Sequence, residues 1–278
     1  MYLLETLHKL IDGLGELPGI IDLRKARYDQ RFASAERVNL FRGVYGDAAT
    51  AEKAIPATKP SGYDNEAPAA MYDERTRQVY AGDYPVLFWL QKLLGENASR
   101  VFDIGGHIGV GYYAYQKYLN YPDNLLWCVS DVPAVVARGE LLARQWDTAR
   151  KLHFCSDLQA VAGYDVVLAS GSIQYLPMTL GQLLGGVKTK PAHVIVNLLP
   201  LHPEQTYFTV QNIGTAFCVY RVQSHIEFVS AMREIGYELV DVWENLEKRC
   251  DIPFVSAHYS LDRYHGFYFR SIGITSVS

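Results

Sequence analysis

The sequence is poor in cysteine: Cys128, Cys155, Cys218 and Cys250 among 278 residues, with no close spacing between any two. That excludes a disulfide framework. Two of the four sit inside apolar, strand-like runs, so reduced buried thiols and a cytoplasmic setting are expected, and the Asn97-Ala98-Ser99 sequon then carries no meaning. Cationic excess is lacking too. Twenty-six lysines and arginines face 30 acids, a net charge of −4, so nucleic acid is not expected as the principal partner. No apolar run approaches the ~18 residues of a bilayer span; residues 85–90 and 193–201 are the longest candidates. The start of the chain carries Glu5, Asp12 and Glu16 and no basic segment leading into an apolar one, which does not read as a signal peptide. Metal-binding patterns are missing: there is no HExxH, Cys-x-x-Cys or Cys/His cluster, and no metal is expected. What remains is a chain 49% apolar and 20% charged, the balance of a folded domain with a substantial core. Its 20 tyrosines suit a pocket as well as a core.

The pattern changes along the chain. Residues 1–98 read as an N-terminal helical, accessory region, with a Gly/Pro-punctuated connector over 43–68 and an apolar helix near 84–94 ending at Gly95. Its first segment, with Leu3, Leu4, Leu7, Leu10, Ile11 and Leu14 at helical spacing, predicts an acidic amphipathic helix docked on protein, and a homodimer through the N-terminal helices is one expectation. Over 99–278, short β-branched runs at 100–104, 125–130, 152–155, 164–169 and 192–199 alternate with helical segments at 110–119, 134–145, 179–184 and 226–235. That alternation predicts right-handed βαβ units and a parallel sheet. Ser224-x-x-Glu227 is a capping box opening the last helix. Two further β-rich runs, 238–243 and 264–272, close the sheet as an antiparallel pair. The fold class is therefore α/β, a doubly wound, Rossmann-like, seven-stranded mixed sheet.

The sharpest local feature is Asp103-Ile104-Gly105-Gly106-His107-Ile108-Gly109. A strand delivers an aspartate, and glycines then turn the chain into a helix with backbone N–H groups facing a ligand. The next strand ends at Asp131, placed to accept hydrogen bonds from two ribose hydroxyls. Gly109-x-Gly111-x-x-Ala114 also matches a dinucleotide fingerprint with Asp131 twenty residues past Gly111, the pattern of an NAD-dependent oxidoreductase. However, its first glycine comes five residues after the strand ends, and Asp103 would repel a pyrophosphate. S-adenosylmethionine has no phosphate, and its ammonium and sulfonium are attracted by a carboxylate before the glycines. A glycine turn without a ligand is the third reading. Asp103 can simply cap the helix, Asp131 can cap the helix at Pro133, and both roles are compatible with ligand binding.

Asp103-x-Gly105-Gly106-x-x-Gly109 resembles the first motif of class I S-adenosylmethionine-dependent methyltransferases. Asp131-Val132-Pro133-x-Val135 resembles the second motif of their small-molecule O-methyltransferases. Ser156-Asp157-Leu158 resembles the third, whose acid meets the adenine amino group, and 165–170, ending at Ser170, resembles the fourth strand. The resemblance implies methyl transfer, S-adenosyl-L-methionine as cofactor, and cofactor contacts from Asp103, Gly105, Gly106, Gly109, Asp131, Val132, Asp157, Leu158 and Ser170. Asp157 can equally be a turn residue. Phe41-Arg42-Gly43-Val44-Tyr45, Gly62-Tyr63-Asp64, Gln211-Asn212-Ile213-Gly214 and Tyr220-Arg221 are similar to a methyltransferase family associated with bacterial surface-polysaccharide gene clusters. This resemblance implies a setting in polysaccharide biosynthesis and a small-molecule or glycan-precursor acceptor.

Many related O-methyltransferases carry a histidine after the fourth strand, where this chain has Gln174, and an amide cannot take a proton. The base must then come from elsewhere, or the acceptor is already nucleophilic. The connection over 201–223, where such folds build an acceptor pocket, offers His202 as a candidate base and Tyr207, Gln211, Asn212 and Tyr220 as candidate acceptor contacts. His202 can also be an ordinary turn histidine. His258 and His265 could reach the same end of the sheet. No Asn/Asp-Pro-Pro-Tyr follows the fourth strand and no Pro-Cys pair is present, which favours a small or carbohydrate acceptor over DNA. The missing histidine also keeps open a non-catalytic cofactor- or partner-binding module with the same fold.

Overall fold

The computed structural model describes residues 18–34, 36, 38–62, 64 and 73–273. The leucine-rich segment Leu3–Leu14 lies outside them. The central sheet is built from β2 (Arg100–Ile104), β3 (Leu126–Ser130), β4 (Leu152–Cys155), β5 (Val166–Ser170), β6 (His193–Leu199), β10 (Tyr237–Asn245) and β11 (Tyr264–Ser271). Its order is β10-β11-β6-β5-β2-β3-β4. The pairs β2–β3, β2–β5, β3–β4 and β5–β6 are parallel, and β11 runs antiparallel to both β6 and β10. This is the seven-stranded mixed sheet expected from the alternating pattern.

The β-branched, nearly continuous apolar strands are explained by burial on both faces. On one face, Phe102, Val167, Val194 and Val196 pack with Leu180, Leu183 and Leu184 of α6 (Leu180–Gly185) and Phe228 and Met232 of α7 (His225–Glu234). On the other, Val101, Val129, Leu168 and Ile195 pack with Val86, Leu90 and Leu93 of α3 (Tyr84–Gly95) and Tyr112 of α4 (Val110–Tyr115). α5 (Pro133–Trp146) lies against β4 so closely that a Cβ at Gly139 would fall 2.3 Å from the Phe154 ring. The direction of sheet growth reverses between β2 and β5, and the crevice above their carboxyl ends is where ligands bind in such sheets.

Two departures from the sequence pattern matter for function. The stretch 201–223, expected as a long connection, forms β7 (Leu201–His202), β8 (Tyr207–Asn212) and β9 (Phe217–Ser224). The region expected to be helical supplies α1 (Pro18–Ala33), α2 (Ala48–Lys53) and a strand, β1 (Leu40–Tyr45). Together the strands make a second sheet in the order β1-β8-β9-β7. The β8–β9 hairpin turns at Gly214 (φ +90°), whose N–H donates to Asn212 Oδ1 at 2.8 Å. β1 pairs antiparallel with β8, Phe41 opposite Gln211 and Leu40 opposite Asn212. A partner so distant in sequence leaves no local trace in β1, whereas two runs rich in aromatic and β-branched residues on either side of Gly214 are a hairpin signal. The cysteines also come closer than their spacing suggests: Cys128 and Cys155, on adjacent strands, are free thiols with Sγ atoms 3.6 Å apart.

Candidate active site

The crevice opens into a cavity of about 1430 Å³, larger than the ~300–1,000 Å³ that one small ligand usually occupies. Its floor is the glycine loop after β2. Gly105 takes φ +66°, and a Cβ there would meet Ser172 Cβ at 2.4 Å. Gly109 takes φ +89° as the residue before α4. Gly106 has no such backbone requirement, but a Cβ on it would sit 2.3–2.8 Å from all three terminal atoms of the Asp103 carboxyl group. The loop and this carboxylate are packed as one unit.

Asp103 is 3% exposed, and its Oδ2 accepts a hydrogen bond from Trp127 Nε1 at 3.1 Å. Among the described residues no basic side chain pairs with it. Burial, helped by repulsion from Asp131 and opposed by the Trp127 bond, pushes its pKa up to about 7. A carboxylate held this way is stabilised by an incoming cation. Asp131, beyond the end of β3, accepts from the His107 N–H at 3.0 Å and the Val132 N–H at 2.8 Å. His107 is a non-glycine residue at φ +57°, so Asp131 holds a strained turn in place. Desolvation pushes Asp131 up to about 6 despite these two bonds. Val132, Leu158 and Ser170 also line the cavity. Asp157 does not; it is exposed, and its carboxylate caps a short turn by accepting from the Gln159 N–H at 2.8 Å. Gly109 is likewise behind the lining and shapes the loop from below.

The remaining walls separate the other expectations. Gln174, Gln211 and Tyr220 line the cavity. Gln174 is 5% exposed and its Oε1 has no hydrogen-bond partner. Gln211 accepts from Tyr175 Oη at 2.7 Å and donates to Asn39 at 2.8 Å; Tyr220 donates to Tyr264 Oη at 2.8 Å. Tyr207 and Asn212 do not reach the cavity. The Tyr207 hydroxyl donates to the Tyr259 carbonyl, and Asn212, fully buried, is consumed by Phe32, Lys59 and Gly214. Tyr207 ties the second sheet to the turn Ala257–Tyr259, and Asn212 ties it to α1.

His202, the candidate base, is not brought to the cavity, and the alternative reading as an ordinary histidine fits its surroundings better. It is 1% exposed and off the cavity, its Nδ1 accepts the N–H groups of Glu204 and Gln205 at 3.1 Å each, and its Nε2 donates to the His258 carbonyl at 3.1 Å. A ring bound on both nitrogens has no lone pair for a substrate. Burial lowers its pKa, against the opposing pull of the hydrogen bond to the His258 carbonyl. The folded state therefore binds this proton less readily than the unfolded chain, and His202's share of stability is complete above the ordinary histidine range and lost as pH falls through it. His202→Gln should lower the melting temperature at pH 8 and narrow the gap from wild type at pH 5, which a thermal scan at the two pH values checks.

Several wall residues carried no local sequence signal. Asp83, ending the short turn Ala81–Asp83 before α3, accepts from the Tyr80 N–H at 2.9 Å and from Tyr115 Oη at 3.3 Å, and burial raises its pKa. Trp243 and Asn245 of β10 enter from the sheet edge. Buried Asn197 organises this corner: it accepts from Trp243 Nε1 at 2.9 Å and Asn245 Nδ2 at 3.1 Å and donates to the Gly82 carbonyl at 3.0 Å. Asn245 Oδ1 is left without a partner. These contacts join strand ends to the N-terminal region, a juxtaposition only the folded chain creates.

No protein-family profile and no curated protein matches the chain. Among solved structures, it is similar to the 1,6-didemethyltoxoflavin-N1-methyltransferase of Burkholderia thailandensis at 17% identity, with 69% of this chain and 78% of that one covered and a TM-score of 0.43. It is similar to the magnesium protoporphyrin IX methyltransferase of Synechocystis PCC 6803, bound to S-adenosylmethionine, at 11% identity, with 75% and 93% covered and a TM-score of 0.47. The CcbJ methyltransferase of Streptomyces caelestis gives 15%, 76% and 98%, and 0.45. At such identities and scores the functional reading rests on the chain's own geometry.

Proposed function

We propose that this protein is an S-adenosylmethionine-dependent methyltransferase acting on oxygen of a small molecule or glycan precursor. The observation that carries the proposal is Asp103: a buried carboxylate without a counter-ion among the described residues, held against glycines that admit no side chain, at the floor of a cavity large enough for two ligands. Asp103 and nearby Asp83 suit a cationic methionine end and oppose the pyrophosphate of a nicotinamide dinucleotide. Asp131 offers its remaining lone pairs to ribose hydroxyls, with Val132 and Leu158 as apolar walls for the adenine. When bound, S-adenosylmethionine supplies an electrophilic methyl group on a sulfonium.

The chain's own residues bind and orient the reactants and exclude water, the contributions that dominate a displacement of this kind. Gln174 and Asn245 line the cavity, and their buried amide oxygens have no partner among the described residues, which leaves hydrogen-bonding capacity there for an acceptor hydroxyl. Asp83, biased by burial toward holding a proton, is a carboxylate in the same wall. The glycan-precursor class is supported by the two segments similar to the polysaccharide-associated family, 41–45 and 211–214, which meet as paired strands β1 and β8 at the cavity's edge.

Transfer of labelled methyl from S-adenosylmethionine to a pool of glycan precursors tests the reaction; label remaining wholly on the donor with every acceptor class would oppose it. Asp131→Ala should weaken S-adenosylhomocysteine binding by ~1–3 kcal/mol, since it strips buried ribose hydroxyls of a charged acceptor and releases the His107 turn. Unchanged affinity by calorimetry would reduce Asp131 to a latch for the loop.

A further inference from the structure

We infer that the acceptor carries an anionic oxygen group, a phosphate or a carboxylate, and that Arg221 on β9 is its seat. Arg221 is 9% exposed and lines the cavity. It stands opposite Phe208 in the β8–β9 register, its guanidinium carbon 5.4 Å from the centre of that ring. Its Nη1 and Nη2 donate to the carbonyls of Met178 and Pro177 at 3.0 and 3.2 Å. These bonds fix the plane of the fork without neutralising it, and among the described residues no carboxylate lies within ion-pair distance of the guanidinium. Glu52, an exposed acid of α2 that also lines this arm of the cavity, does not pair with it.

Burying a guanidinium without a counter-ion is costly, and the lowered pKa of Arg221 records that desolvation. A structural arginine at such a place normally has its acid. One facing a cavity with donors to spare is arranged for an anion that arrives with the ligand, because the planar fork matches phosphate and carboxylate oxygens. Val219, two residues earlier on the same face of β9, lines the same cavity, and the buried position of Arg221 means that a charge pair there would be little screened.

The inference deepens the proposed transfer reaction, yet anion binding needs no cofactor and is measured without it. Inorganic pyrophosphate and malonate are titrated calorimetrically into the 278-residue protein, the two arms distinguishing a phosphate seat from a carboxylate seat. At least one should bind in the millimolar range. Arg221→Gln should weaken that anion roughly tenfold or more, and Arg221→Lys should retain part of the affinity. If Arg221→Gln loses its fold because residues 176–178 are no longer held, Val219→Glu provides the second test. Its carboxylate should pair with the guanidinium, leave the protein folded and abolish anion binding. Neither anion binding to wild type, or equal binding to wild type and Val219→Glu, overturns the inference. S-adenosylhomocysteine affinity is measured alongside; its absence would oppose the methyltransferase reading while leaving Arg221-dependent anion binding as a separate result.

Discussion

Gly106→Ala should lower S-adenosylhomocysteine affinity by two orders of magnitude or more while leaving a folded protein. The substitution adds one methyl group at a residue whose backbone is not in the left-handed region, so no conformational strain accompanies it. The Cβ would nevertheless fall 2.3 Å from Asp103 Oδ2 and 2.4 Å from its Cγ, far inside contact distance. The carboxyl group must swing away, break its bond to Trp127 Nε1, and leave the position from which it meets a cation. Charge-assisted contacts are each worth ~1.5–3 kcal/mol and loop displacement removes more than one, which gives the expected loss. Gly105→Val combines a β-branched side chain at φ +66° with a collision against Ser172, so its failure would mix folding with binding; Gly106→Ala isolates the binding term. Normal affinity in Gly106→Ala would mean that the loop serves another ligand.

Asp103→Asn should stabilise the ligand-free protein above neutral pH and destroy cofactor binding together. The pKa of Asp103 in the folded state is raised from 3.8 to about 7, chiefly by burial. Between those values the folded protein holds a proton that the unfolded chain has released, so stability falls as pH rises from ~4 to ~7 and the deficit is complete above that. At ~1.4 kcal/mol per unit, the full deficit is about 4 kcal/mol as an upper figure. Asparagine keeps the shape and can still accept from Trp127, but it does not titrate. The melting temperature of Asp103→Asn should therefore exceed wild type at pH 8, and the difference should shrink toward pH 5. Wild-type affinity for S-adenosylhomocysteine should rise with pH across the same window, as the carboxylate becomes charged, and that rise should vanish in the variant. Parallel melting curves at all pH values would show that Asp103 already has a compensating partner.

Much of the central sheet and of the cavity floor was legible in the sequence because the signals there are local. A β-branched run followed by Asp103 and glycines must turn sharply, and the repeated spacing of strand and helix allows few topologies. The floor of the cavity follows from those few residues. The other walls of the cavity were legible only in part, since they are assembled from segments remote in sequence. β1 gains its meaning from β8, Asp83 from its proximity to Tyr115, and Asn245 from Asn197 across the sheet edge. His202 shows the converse error. A histidine beside a proline in an expected loop looked available, but β7 draws it into the interior, where backbone groups saturate both nitrogens. Reading 207–212 and 217–224 as a hairpin would have exposed this, because the polar residues of a buried strand are committed to its neighbours before any ligand arrives.

The most direct measurement of the central claim is calorimetric titration of the wild-type protein at pH 7.5 with S-adenosylhomocysteine and, separately, with NAD. S-adenosylhomocysteine should bind with micromolar affinity, and more weakly at pH 6 as Asp103 takes up its proton, while NAD should give no heat beyond dilution. Saturable NAD binding with S-adenosylhomocysteine inert would contradict the account, since it would place a pyrophosphate over a buried carboxylate.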